Sequence, residues 1–298
     1  MRVLICGWAS FRHGEATAGD VAALRYVGSD LTAAGIPCET VWSPVFAPQQ
    51  RHFDQVDPQR FSHVVFACGP AHGWQVRELH RRFARCRRIA LGVSVIDPHD
   101  PAVLGFDTVL ARDGTGGPPA RDLAAHLRAG PDPVVGVALA PGQPEYGSYR
   151  RHEHVHRQLL DWLTSLPCAP LPVETRLDTR DGLLCSTPEQ CAALFARTDA
   201  VITTRLHGLV LALAQGVPAL AVDPVSGGGK VAAQARAWGW PGILLADDVG
   251  PEELDERWAW VRGEHARRLA RERAGTATDP VTRPREVLAR EQPTPEPR

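Results

Sequence analysis

The stretch Asp199-Ala-Val-Ile-Thr-Thr-Arg-Leu-His-Gly-Leu-Val-Leu-Ala-Leu-Ala-Gln-Gly-Val-Pro-Ala-Leu-Ala-Val-Asp223 decides how this chain folds. Asp199 to Thr204 is a short apolar run rich in β-branched residues, the pattern of a buried strand. Gly208 to Gln215 is apolar almost throughout and reads as a compact helix, with Gly216 placed to end it. Val217-Pro218 then leads into a second apolar run, Ala219 to Asp223. Strand, helix and strand in so short a span imply parallel pairing. Arg205 and His207 therefore fall on a strand-to-helix turn, at the carboxyl edge of the sheet, where open α/β folds bind ligands. The unpaired N–H groups of a helix N-terminus favour an anion there. A guanidinium and an imidazole at that point read as an anion site with a proton donor attached. The competing reading makes Arg205 a surface charge and His207 a helix cap. Two such residues flanking one leucine at this junction favour the site.

Outward from this unit, strand and helix patterns alternate. Arg2 to Cys6, Pro37 to Trp42, His63 to Ala67, Arg88 to Val95 and Thr108 to Ala111 read as strands. Helices are expected over 20–34, with Asp20 as N-cap, and over 75–86. Residues 114–133 are rich in Gly and Pro around one short helix and read as a linker. A second alternating half starts at Val134, with helices near 152–165, 188–197 and 230–238, and a charged, Trp-containing helix over 252–273. The expected division is a first Rossmann-like domain over 1–130, a second over 131–274, and a disordered tail over 275–298.

Composition narrows the function. The 298 residues carry a net charge of −1, which gives no sign of a nucleic-acid binder. Seven scattered cysteines show no Cys-x-x-Cys pair, so no zinc cluster is expected, and a reducing cytoplasm suits them. Met1 to Gly7 reads as a first strand rather than a signal peptide, and no run reaches the length of a membrane span. The long loop Gly7 to Asp20 lacks a Gly-x-Gly-x-x-Gly fingerprint, so a dinucleotide cofactor is not expected. Ser226-Gly-Gly-Gly-Lys230 looks like a phosphate-cradling loop without being a Walker A motif. His152, His154 and His156, beside Arg150 and Arg151, read as a solvated basic face.

Arg205-Leu206-His207-Gly208, followed by Gly216-Val217-Pro218, an apolar strand and Lys230, resembles the signature of the polysaccharide pyruvyl transferase family. Weaker matches are Gly19-Asp20 near the first strand and Arg112-Asp113 near the end of the first half. The resemblance implies two Rossmann-like domains facing a cleft, the glycosyltransferase B architecture. It implies phosphoenolpyruvate as co-substrate, no other cofactor and no metal, with a sugar or glycoconjugate as acceptor, reached at the membrane surface where that acceptor is lipid-linked. Under it, His207 and Arg205 are the catalytic residues. Arg205, Leu206, Gly208, Gly228, Gly229 and Lys230 bind the donor, and Asp20 and His72 are weaker acceptor candidates. The chain departs from the family at Thr17-Ala18, where an asparagine is usual, and at Ala138-Leu-Ala-Pro141, which lacks a basic residue. Two rivals are a nucleotide-sugar glycosyltransferase of the same fold, with Asp223 or Asp247 holding the ribose, and a non-catalytic sugar-binding relative.

Overall fold

The computed structural model describes residues 1–275 and Leu288. The tail expected over 275–298 lies outside the described residues, save Leu288 and Gly275, which closes the last helix. The chain is an α/β protein that separates into two compact units, Met1–Ala129 and Gly130 onward.

The first unit runs β1 (Val3–Cys6), α1 (Ala18–Ala33), β2 (Cys38–Thr40), β3 (His63–Ala67), α2 (Gly73–Arg82), β4 (Arg87–Ser94), α3 (Pro101–Leu104) and β5 (Thr108–Asp113). Its strands form a parallel sheet in the order β2-β1-β3-β4-β5. Alternate residues of β1 serve opposite faces. Leu4 and Cys6 enter a core with Val76 and Leu79 of α2, whereas Val3 and Ile5 pack with Leu24 and Val27 of α1. Burial on both faces is why the run is apolar at every position.

The second unit runs β6 (Val134–Ala138), α4 (His152–Leu163), β7 (Ala169–Pro172), α5 (Pro188–Phe195), β8 (Ala200–Thr203), α6 (Leu206–Ala214), β9 (Ala219–Asp223), α7 (Lys230–Ala237), β10 (Ile243–Leu245), α8 (Pro251–Arg262) and α9 (Glu264–Gly275). Its parallel order is β10-β9-β8-β6-β7. Counted from its own first strand this is again 2-1-3-4-5, so the two units repeat one topology. Each sheet reverses its winding beside its first strand, between β1 and β3 and between β6 and β8. A crevice opens at such a reversal, at the carboxyl ends of the strands.

Several local expectations are corrected. The N-cap of α1 is Thr17, not Asp20: Thr17 Oγ1 accepts the Asp20 amide at 3.2 Å, and the Asp20 carboxylate accepts the Thr17 hydroxyl at 2.6 Å. The helix expected over 252–273 is two helices. Gly263, extended at φ −67 and ψ 156, separates α8 from α9, and a Cβ there would stand 3.1 Å from the Trp260 carbonyl oxygen. Strand β7 carries Pro170 and Pro172, which hid it in the sequence; it survives as an edge strand, where fewer ladder donors are needed.

Candidate functional site

Around the crevice of the second unit, residues from three strand ends line a cavity of about 350 Å3. Ala140, Pro141 and Gln143 follow β6, Thr204 to His207 join β8 to α6, and Lys230 opens α7. Arg205 is the N-cap residue of α6 and makes no side-chain cap bond, while His207 is exposed in the first turn. Lys230 is also exposed, its Nζ 6.0 Å from the centre of the Tyr146 ring. The sequence thus placed Arg205, Leu206, His207 and Lys230 together, and the fold brings all four to one cavity.

Gly208, Gly228 and Gly229 are not among its walls. A Cβ on Gly208 would stand 2.2 Å from Thr203 Oγ1, so the glycine lets α6 close onto β8. The glycine loop is committed internally. Asp223, fully buried, accepts the amides of Gly229 at 2.7 Å, Ala232 at 2.8 Å and Val225 at 3.1 Å. Asp247 accepts the Gly227 amide at 2.9 Å and the Ser226 hydroxyl, and the Gly228 amide donates to the Val225 carbonyl. The Gly227 amide, then the Ser226 hydroxyl, hold the Asp247 carboxyl below its ordinary value. Two aspartates and the Val225 carbonyl thus take the glycine amides that the sequence offered to a phosphate. Of the two acids weighed for a ribose, Asp223 is fully buried with both oxygens engaged, whereas Asp247 is exposed.

The guanidinium of Arg205 pairs with Glu174, a residue the sequence did not single out. Glu174 follows β7 and reaches past β6 to the end of β8. Burial pushes its carboxyl up, but the Arg176 amide at 2.6 Å and then the Arg205 guanidinium outweigh it and leave the carboxyl below the ordinary value. A second omission is Thr204, whose Oγ1 accepts the Ala140 amide at 2.8 Å and lies 3.0 Å from His156 Nε2.

The basic cluster at the start of α4 is a solvated face only in part: Arg150, Arg151 and His154 are exposed, whereas His152 and His156 turn inward. His152 is 2% exposed, and neither ring nitrogen has a hydrogen-bond partner among the described residues; His156 is half-buried. Both share the helix face of Val155 and Leu159, at spacings of three and four that turn them towards the sheet. Burial first, then Arg150, lowers the His152 pKa; burial first, then His152, lowers that of His156.

The crevice of the first unit holds a cavity of about 190 Å3 lined by residues following β1 (Ser10 to His13), by Trp74, Gln75 and Glu78 of α2, and by Pro44, Phe53 and Asp54. Trp74 is 56% exposed, and its ring centre lies 6.4 Å from that of His13. The Trp8 indole N–H donates to the Pro70 carbonyl at 3.1 Å and ties the two loops together. Asp20 and His72 are not among the walls. Asp20 is engaged in its helix cap, and His72 Nδ1 sits 2.5 Å from Asp100.

A family model described as polysaccharide pyruvyl transferase matches residues 37–226, more than half of the chain and including Glu174, Thr204, Arg205 and His207. No curated protein matches. Solved structures similar to the chain include the glycotransferase of kitacinnamycin, at 13% identity and TM-score 0.33, covering 92% of this chain and 94% of that one. Another is the spinosyn rhamnosyltransferase SpnG, at 12% and 0.35, covering 92% and 95%. A third is the heptosyltransferase WaaC of E. coli, at 13% and 0.26, covering 88% and 100%. The strand–turn–helix bearing Arg205 and His207 lies inside the matched region, and the chain belongs to the polysaccharide pyruvyl transferase family.

Proposed function

We propose that this protein transfers the pyruvyl group of phosphoenolpyruvate to two hydroxyls of a saccharide, forming a ketal. The observation that carries this reading is the gathering of Arg205, His207 and Lys230 on one cavity at the second unit's strand-order reversal. Two cations suit a small ligand bearing a phosphate and a carboxylate. In this reading Arg205 takes one anion and Lys230 the other. The glycine loop supplies the position of Lys230 rather than free amides.

Ketal formation requires a proton at C3 of the enol and attack of a sugar oxygen at C2. The C2–O bond to phosphate then breaks, and a second hydroxyl closes on C2. Two hydroxyl protons leave the sugar, one replacing that taken up at C3 and one departing with phosphate, so no oxidant or reductant enters the balance. His207, exposed at the cavity, is the group assigned to move these protons.

The acceptor is assigned to the first unit's cavity. An exposed Trp74 face offers a platform for a sugar ring, and Gln75, Glu78 and Asp54 offer hydrogen-bond partners for hydroxyls. A soluble glycoconjugate or a lipid-linked precursor met at a membrane surface both fit a cytoplasmic enzyme of this kind. Among the described residues, no helix is long and apolar enough to cross a membrane.

The test is release of inorganic phosphate from phosphoenolpyruvate in the presence of a saccharide panel, with the ketal product identified by mass and NMR. Turnover that disappears in His207→Ala supports the reading. Turnover only with a sugar nucleotide would replace it with glycosyl transfer, and binding of saccharide without turnover of any donor would mark a sugar-binding protein.

A further inference from the structure

We propose that Glu174 is a specificity-determining residue of the donor cavity: its carboxylate stands on Arg205 in place of the donor's anion, so that only a ligand with a second anionic group for Lys230 displaces it. This rests on the assignment of the Arg205 cavity as the donor site.

Glu174 is built in. The Val173 amide donates to the Val137 carbonyl at 2.9 Å, which anchors the chain at the end of β7. The Arg176 amide donates at 2.6 Å to Oε1, the same oxygen that accepts Arg205 Nη1. The outer flank of Glu174 is an apolar groove lined by Val137, Pro172, Leu183 and Leu184, which offers the carboxylate no other cation. Arg205 is correspondingly withdrawn, with its side chain 20% exposed against 35% for that of Glu174.

The exchange on binding follows from charge. A ligand with one anionic group gains Arg205 but breaks an existing charge-assisted pair, and it leaves Glu174 as a like charge beside it. The net gain is close to nothing. A ligand with two anionic groups makes the same exchange and gains Lys230 in addition. Glu174 thus imposes the same cost on both, which cancels the gain of a single-anion ligand, such as the free carboxylate product of donor breakdown, and leaves the donor the surplus from Lys230.

Titration calorimetry with pyruvate and with phosphoenolpyruvate on wild type and Glu174→Gln tests this. In the variant, pyruvate should bind about tenfold or more tightly than in wild type, because a charged competitor has become a neutral amide. Phosphoenolpyruvate makes the same exchange at Arg205 and should tighten by a similar factor, so the ratio of the two affinities stays near its wild-type value while pyruvate becomes a measurable ligand. No tightening of pyruvate, or tightening that persists when Arg205 is also replaced by Ala, overturns the proposal. Weaker binding of both would make Glu174 a residue that merely orients Arg205. Tighter pyruvate binding with no phosphoenolpyruvate binding in either protein would support the role of Glu174 while removing phosphoenolpyruvate as donor. Glu174→Asp, which keeps the charge but shortens the reach, should shift pyruvate in the same direction by a smaller factor, and serves if the glutamine variant does not fold. The double variant Glu174→Gln with Arg205→Ala should lose the gain.

Discussion

Nε2 of His156 lies 3.0 Å from Oγ1 of Thr204, and the same oxygen accepts the Ala140 amide at 2.8 Å. The hydroxyl therefore joins α4 behind the cavity to the loop after β6 and the turn after β8 that form its walls. Thr204→Val leaves the Ala140 amide without its acceptor and a half-buried imidazole without its partner. Stability should fall by about 1–3 kcal/mol. Because Ala140 and Arg205 both flank the cavity, kcat/KM should fall by about tenfold. Unfolding curves and steady-state kinetics on the variant check both, and unchanged values in the two would detach Thr204 from the site.

Gly208→Ala should destabilise far more than its size suggests. The added methyl would stand 2.2 Å from Thr203 Oγ1, and that hydroxyl is committed to the Ala138 carbonyl at 2.7 Å and the Arg205 amide at 2.9 Å. A cost of roughly 1–3 kcal/mol or more is expected. Combining it with Thr203→Ala should recover part of the loss, since the second change removes the clashing oxygen. Failure of the double variant to recover anything would place the strain elsewhere.

Acid should destabilise the fold. His80, His152 and His156 all have folded pKa values below the ordinary 6.5, burial being the first cause in each. Their unfolded forms bind protons that the folded protein does not, so the stability they confer is complete above pH 6.5 and is lost as pH falls below it towards the folded values. Melting temperature should drop as pH falls below 6.5. His152→Leu removes a buried ring whose nitrogens have no hydrogen-bond partner among the described residues, and should flatten that slope. A slope identical to wild type would show that His152 protonates as freely folded as unfolded.

Trp74→Ala should raise the KM for the saccharide acceptor by about tenfold while leaving the KM for the donor near its wild-type value, as expected for loss of one aromatic platform. Trp74→Phe should lie between. Equal effects on both substrates would sink the assignment of the first unit's cavity to the acceptor.

The sequence carried the sheets well and the polar contacts poorly. Strands β3 and β9 have the bounds read from the sequence, His63–Ala67 and Ala219–Asp223, because burial on both faces makes their interiors apolar. Arg205 and His207 were legible from their place on a strand-to-helix turn. Glu174 was not, because its pairing with Arg205 depends on β7 and β8 both lying beside β6, which spacing along the chain does not reveal. The glycine loop misled in the opposite direction: its amides look free until Asp223, Asp247 and the Val225 carbonyl are seen to take them. The inward turn of His152 and His156 was readable, since they share the helical spacing of Val155 and Leu159, but charge on the neighbouring arginines obscured it.

The most direct measurement is calorimetric titration of phosphoenolpyruvate into wild type, Arg205→Ala and Lys230→Ala, beside a panel of sugar nucleotides. The account predicts binding of phosphoenolpyruvate to wild type, weakened by about tenfold or more in each variant, with no comparable binding of any sugar nucleotide. Binding of a sugar nucleotide in its place, or phosphoenolpyruvate binding that neither substitution alters, would contradict it.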